Sequence, residues 1–255
     1  MKHAVQTAPR QPGERALPRG SEIWIRQFDG QMLVCGLLAK ALYGAPDRGW
    51  LDQLIVNSVF DAIPFGEALP EMAEAAARLK AWADSHRAGL DDAAFEVLSD
   101  DYTRLFVGPG RLGAAPWESV YVNKDRAVFQ LETAAVSRWY ERFGVAIASD
   151  YNEPADHVGL EFSFMAHLAN LTVQASMDED GEEVGRLIAA QRGFVGQHLA
   201  RWVPAWADEV ERNAKTGCYV ALAALARAAV AELQSFFAVS LPRVPASGPF
   251  RIVPA

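Results

Sequence analysis

Glu153, Asp156, His157 and Glu161 bring three carboxylates and an imidazole together within a short span, the side chains that bind divalent metals or move protons. His157 and Glu161 would lie one turn apart on the same face of any helix that begins near Pro154. Metal sites in helical bundles draw Glu-x-x-His pairs from two helices, and the chain contains no such pair. The other histidines, His3, His86, His167 and His198, supply no matching second set. A metalloprotein enzyme built on these four residues is therefore one reading. The other makes Asp156 a carboxylate that satisfies free amides at a helix start, with His157 a partly buried ring oriented beside it.

A second group of residues lies upstream. Trp117 follows Pro116 and precedes Glu118 and Ser119, a setting harder to explain as core than a tryptophan at helical spacing. It could cover the edge of a core or form the wall of a groove, offering a large rigid surface at little entropic cost. If residues 119–122 are extended, Tyr121 falls on the same side as Trp117. With Glu118, Glu153 and Asp156 near in sequence, such a groove suits a peptide carrying apolar and basic residues. Between these groups, Gly108, Gly110 and Gly113 match G-x-G-x-x-G, but that fingerprint needs a strand before it and a helix after it. Here a helical pattern precedes it and Ala114, Ala115 and Pro116 follow, so a turn that requires glycine is the simpler reading.

The elements that must position these residues read almost wholly as amphipathic helix. Ser21 is placed to cap the first, on which Trp24, Phe28, Met32, Cys35, Leu38 and Leu42 recur at spacings of three and four. Further helices are expected over 47–62, after Pro70, over 91–106 and 131–143, and from Pro154 to about 175. Others follow over 182–202, from Pro204 to 213 and over 216–238. Only 119–122 and 127–130 look strand-like, too short for an independent sheet. The expected fold is all-α, a single-core bundle of about nine helices interrupted by one long loop region. Residues 1–20 carry three prolines and four basic residues without periodicity, which predicts a disordered arm, and 239–255 form a proline-rich tail.

Composition narrows the function. A net charge of -8 argues against general nucleic-acid binding, which needs a basic footprint. Cys35 and Cys218 are too few and too isolated for a disulfide framework or a zinc site. Arg227 and Glu232 interrupt the most apolar stretch, and the first residues lack the apolar region of a secretory signal, so a cytoplasmic protein is expected.

Three pieces, in order and spacing, resemble the redox-enzyme maturation chaperones of the TorD and DmsD type, related to NarJ. They are the run from Tyr102 to Pro109, the run Pro116-Trp117-Glu118-Ser119-Val120-Tyr121, and Asn152-Glu153-Pro154-Ala155-Asp156-His157 followed by Glu161. The stretch from His198 to Pro204 looks like the family's later H-L-x-x-W segment. The resemblance implies an all-helical chaperone without catalytic turnover and without a cofactor of its own. It further implies binding of the twin-arginine signal peptide, and often the body, of a molybdenum-cofactor oxidoreductase, held back from export until its cofactor is inserted. Trp117, Ser119, Tyr121, Glu153, Pro154, Asp156 and His157 are then the positions implied for peptide recognition. Family members can also exchange helices to form dimers, for which the loop 143–154 is a plausible hinge.

Overall fold

The computed structural model describes residues 19–61, 63–65, 69–122, 131–147 and 153–240, with backbone alone at 19–23 and 239–240. The expected N-terminal arm and C-terminal tail, Asn152 and the strand-like piece 127–130 lie outside these residues. The fold is all-α, as the periodicity predicts. Among the described residues ten α-helices run as α1 (Arg19–Tyr43), α2 (Arg48–Val56), α3 (Pro70–Asp84), α4 (Asp92–Tyr102), α5 (Glu118–Val122), α6 (Leu131–Arg142), α7 (Val158–Met177), α8 (Gly181–Gln197), α9 (Leu199–Asn213) and α10 (Gly217–Ser240). A 3-10 turn, Val59–Asp61, follows α2, and a π turn, Thr103–Val107, continues α4.

Many boundaries follow from local chemistry. Asp47, Asp91 and Asp180 cap α2, α4 and α8 by accepting hydrogen bonds from the amides of Trp50, Ala94 and Glu183. Pro70 opens α3, where its missing N–H costs nothing. The chain leaves α6 through Gly144 at φ +68, a left-handed position that favours glycine.

Four expectations need correction. Residues 119–122 belong to the short helix α5 and are not extended, because the amides of Glu118 and Ser119 both turn back onto Asp156. Helix α7 begins at Val158 with His157 as its cap, so Pro154 lies before the helix and not in its first turn. Pro204 does not stop a helix. It sits inside α9, where one lost hydrogen bond is outweighed by the burial of Trp202, Val203, Trp206 and Ala207 around it. The break falls at His198, whose backbone is non-helical at φ -124 and ψ -91. Lastly, α10 has one stretch, Gly217–Ala238, long and apolar enough by length and composition to cross a membrane. Most of it is buried inside the fold, with Leu222, Leu225, Ala229 and Leu233 in the core, and Arg227 on its outer side pairs with Asp208 and Glu211 of α9 at 2.6 and 3.2 Å.

The core is one continuous apolar mass in which α1 lies along α7 and α10 packs between α3 and α9. Gly159 allows α1 and α7 to approach closely, since a Cβ there would sit 2.8 Å from the Cα and Cβ of Tyr43. A buried polar string joins α1 to α7 through α8: Gln31 Nε2 donates to Gln191 Oε1 at 2.6 Å, and Gln191 Nε2 donates to the Thr172 hydroxyl at 2.9 Å. The Gln191 amide is thereby engaged at both its oxygen and its nitrogen. At the other end of the molecule Asp101 accepts from the amides of Lys215 and Thr216 and from the Thr216 hydroxyl, closing the turn between α9 and α10.

Replacing Gly159 by alanine forces α1 away from α7. Urea denaturation should show a loss of at least about 2 kcal/mol, the usual cost of overpacking a rigid contact.

Candidate functional site

The residues singled out by sequence meet where two chain segments cross. Trp117 and His157 form an isolated antiparallel bridge: Glu118 N–H donates to Asp156 O at 2.9 Å and Val158 N–H to Pro116 O at 2.8 Å. The Asp156 carboxylate, wholly buried, then ties three elements together. One oxygen accepts from the Ser119 amide in the first turn of α5 at 2.9 Å, and the other from the Thr133 hydroxyl of α6 at 2.8 Å. Charge-assisted bonds of this kind are the strong ones, and here both carboxylate oxygens are engaged. Just before it, the buried Ala155 carbonyl accepts from the Tyr140 hydroxyl at 3.0 Å.

His157 is buried between Tyr43 and Trp117, whose rings stand edge-on to it at centroid distances of 5.5 and 6.3 Å. Its Nδ1 accepts the Gly159 amide at 3.1 Å, capping α7, so the ring is held neutral with that nitrogen unprotonated. Burial pushes its pKa from 6.5 down to about 3.

Behind this crossing lies a second layer of buried charge. His198, at the α8–α9 break, places Nδ1 2.7 Å from Glu118 Oε2, and the Arg201 guanidinium lies 3.6 Å from the other oxygen. Glu161 accepts the Trp202 indole N–H at 3.1 Å. Burial, reinforced by the neighbouring Glu118, pushes Glu161 well above its ordinary value, and the Trp202 bond opposes the shift only in part. Burial therefore favours the protonated form of Glu161 over the ionised one.

The candidate residues thus divide into two sets. Ser119, Pro154, Asp156 and His157 are buried and hold the crossing together. Trp117, Tyr121 and Glu153 are half-buried and present surface. Glu153 accepts the Trp117 indole N–H at 3.2 Å, which fixes the large ring beside a carboxylate. The Tyr121 hydroxyl donates to Glu209 of α9 at 2.9 Å while its ring lies against Trp202. Tyr43, at the end of α1, is also half-buried next to His157.

The sequence reading placed Glu118 and Asp156 on an acidic surface, and both are fully buried. It also grouped Glu153, Asp156, His157 and Glu161 as metal ligands. Their donor atoms are instead directed at Trp117, Ser119 with Thr133, Gly159 and Trp202, and among the described residues no three such side chains converge on a cation site. Sequence reasoning missed Thr133, Tyr43 and the pairing of His198 with Glu118. The resemblance of the His198–Pro204 run to a family segment was the one available signal for the last of these.

With this geometry in place, comparison with known proteins is decisive at one level. The family described as nitrate reductase delta subunit matches residues 63–208, a span that contains all four resembling pieces. The chain belongs to that family. Among its relatives, the chaperone protein TorD of Photobacterium profundum is 34% identical over 131 residues, covering 51% of this chain and 59% of that protein. TorD of Vibrio cholerae is 33% identical over 132 residues, covering 51% and 58%, and TorD of Aliivibrio fischeri is 29% identical over 137 residues, covering 54% and 62%. The chain therefore matches about three-fifths of the length of these relatives. A solved structure of a candidate redox enzyme maturation protein from Archaeoglobus fulgidus aligns at 17% identity and a TM-score of 0.43, over 78% of this chain and 91% of that one.

Two predictions follow from the buried groups. Asp156→Ala strands the Ser119 amide and the Thr133 hydroxyl and should lower stability by about 3 kcal/mol in denaturant titration, with α5 losing its anchor. The pH dependence has a definite sign. The folded pKa of His157, about 3, lies below the unfolded value of 6.5, so its contribution is present above pH 6.5 and lost as pH falls toward 3. The folded pKa of Glu161 lies above the unfolded value of 4.5, so its contribution is present below 4.5 and lost as pH rises. Above 4.5 the two act in opposite senses, and from 4.5 down to about 3 the His157 contribution alone makes stability fall with pH. Denaturation across pH should show stability rising more steeply with pH just above 4.5 in Glu161→Gln and the acid limb flattened in His157→Gln.

Proposed function

We propose that this chain is a cytoplasmic chaperone for an exported molybdenum-cofactor oxidoreductase of the DMSO reductase type. In this reading it binds the enzyme's twin-arginine signal peptide and its apo form, assists cofactor insertion and delays export until maturation is complete. Membership of the nitrate reductase delta subunit family and the TorD relatives support a maturation chaperone. The observation that carries the peptide reading is the pair Trp117 and Glu153, a half-buried indole locked to a half-buried carboxylate on a crossing that the fold holds rigid.

The chemistry suits such a ligand. A guanidinium can share the Glu153 carboxylate while its planar face, or the apolar residue after it, lies on the Trp117 ring. Tyr43 lies against His157, the ring that Trp117 also contacts, and Tyr121 lies against Trp202. Ser119, Pro154, Asp156 and His157 act behind this surface, fixing the backbone that carries Trp117 and Glu153, so that little entropy is lost when a peptide docks. No bond is broken. By mass action the chaperone stabilises the export-incompetent client and competes with the translocon for the peptide.

The test is calorimetric titration of a synthetic twin-arginine signal peptide into the full chain. Trp117→Ala and Glu153→Gln should each weaken binding by about tenfold or more, typical of a central anchor, with melting temperature unchanged. Replacing the two peptide arginines by lysine should weaken binding to the parent but change little for Glu153→Gln. Equal affinity of parent and both variants would remove the peptide from this site.

A further inference from the structure

A second concavity lies away from the Trp117 surface, between the loop 108–113, the π turn and the C-terminal end of α9. It has a volume of about 390 Å³, and Arg104, Arg111 and Arg212 form its walls together with Gly113, Glu209 and Asn213. Three guanidiniums facing one small space is unexpected in a chain whose net charge is -8. Arg104 is explained by the fold: it pairs with the buried Asp101 and donates to the Asn213 carbonyl. Arg212 donates from Nε to its own helix at Asp208 O, 3.0 Å, and neither Arg212 nor Arg111 makes an ion pair with the described residues. Both are exposed, and their outer N–H groups are available to a ligand.

The loop that carries Arg111 is fixed in place. Gly113 N–H donates to Arg104 O at 3.1 Å, Ala114 N–H to Leu105 O at 3.0 Å, and Asn213 Nδ2 to Gly113 O at 2.7 Å. A Cβ at Gly113 would stand 3.0 Å from the Leu105 side chain and 3.3 Å from Asn213 Cβ, so the loop lies flat on α9. The amides of Gly108, Gly113 and Ala114 are engaged internally, and the donors lining the concavity are the arginine side chains.

We propose that this concavity binds a phosphoryl group, either as free phosphate or pyrophosphate or as the phosphate end of a larger metabolite. The choice over a carboxylate rests on donor geometry. Each guanidinium offers a planar fork of N–H groups, and a carboxylate, with two oxygens, fills one fork. A phosphoryl dianion has three terminal oxygens directed apart and can engage the forks of Arg111 and Arg212 from separate walls at once, while Arg104, held by Asp101 and the Asn213 carbonyl, adds its charge to the space. Glu209 is the opposing charge in the wall, and the Tyr121 hydroxyl that donates to it at 2.9 Å draws part of that charge away from the space. The site makes no use of Trp117 or Glu153, so it stands or falls separately from the peptide reading.

The experiment titrates inorganic phosphate and pyrophosphate into the full chain by calorimetry at constant ionic strength in chloride, with sulfate and a hexaglutamate peptide as comparisons. Pyrophosphate should bind more tightly than sulfate. The double variant Arg111→Gln, Arg212→Gln should weaken it by at least about tenfold while melting stays unchanged, because neither side chain holds the fold. Glu209→Gln should strengthen it severalfold, while Glu71→Gln, which removes the same charge from an exposed position outside the concavity, should change it little. Equal pyrophosphate affinity in parent and double variant overturns the proposal, as does no binding at all. Binding of hexaglutamate in place of phosphate, lost in the double variant, overturns it in favour of an acidic peptide segment as ligand.

Discussion

The Asp156 carboxylate is the contact on which the rest of the site depends. Its two oxygens are shared between an amide of α5 and a hydroxyl of α6, and its own backbone carbonyl takes the amide of Glu118. A buried carboxylate is stable only when its charge is met by aligned donors, and here those donors come from elements far apart in sequence. The arrangement converts a requirement of desolvation into a positional one. Trp117 and Glu153, which flank the crossing, inherit their positions from it.

The layer behind the crossing shows the cost of this design. Glu118, Glu161 and His198 are buried within a few residues' reach of each other, and the protein resolves the conflict in two ways. Glu118 is met by His198 and approached by Arg201, while burial raises the pKa of Glu161 beside the Trp202 indole. His157 resolves its own burial by remaining neutral and capping α7. Polar groups placed this deep specify one packing of α5, α7 and α9, since any other would strand a charge. Tyr121 carries the specification outward, lying on Trp202 while its hydroxyl reaches Glu209 in the wall of the arginine-lined concavity.

What the crossing holds still is the attitude of an indole and a carboxylate. The close packing of α1 on α7 at Gly159 serves the same end, because Tyr43 borders both that contact and His157.

The helical fold was legible in the chain because apolar residues three and four apart, such as Phe28, Cys35, Leu38 and Leu42, bury one face wherever they are found. Aspartates before helices, Pro70 and Gly144 likewise act on their nearest neighbours, so local sequence sufficed for those boundaries. The candidate motif was legible as a concentration of unusual residue types, and its resemblance to a family led to the right one. Which of its members face solvent was not legible. Glu118 and Asp156 carry polar side chains that composition assigns to a surface, and long-range partners at Ser119, Thr133 and His198 draw them inside. The same long-range bonds turned an apparent strand into α5, and the burial of Trp202 and Trp206 carried α9 through Pro204. Sequence determined what depends on neighbours within a turn or two. Only the tertiary structure decided what depends on charges and rings brought together from dozens of residues apart, because their desolvation is settled by the whole fold at once.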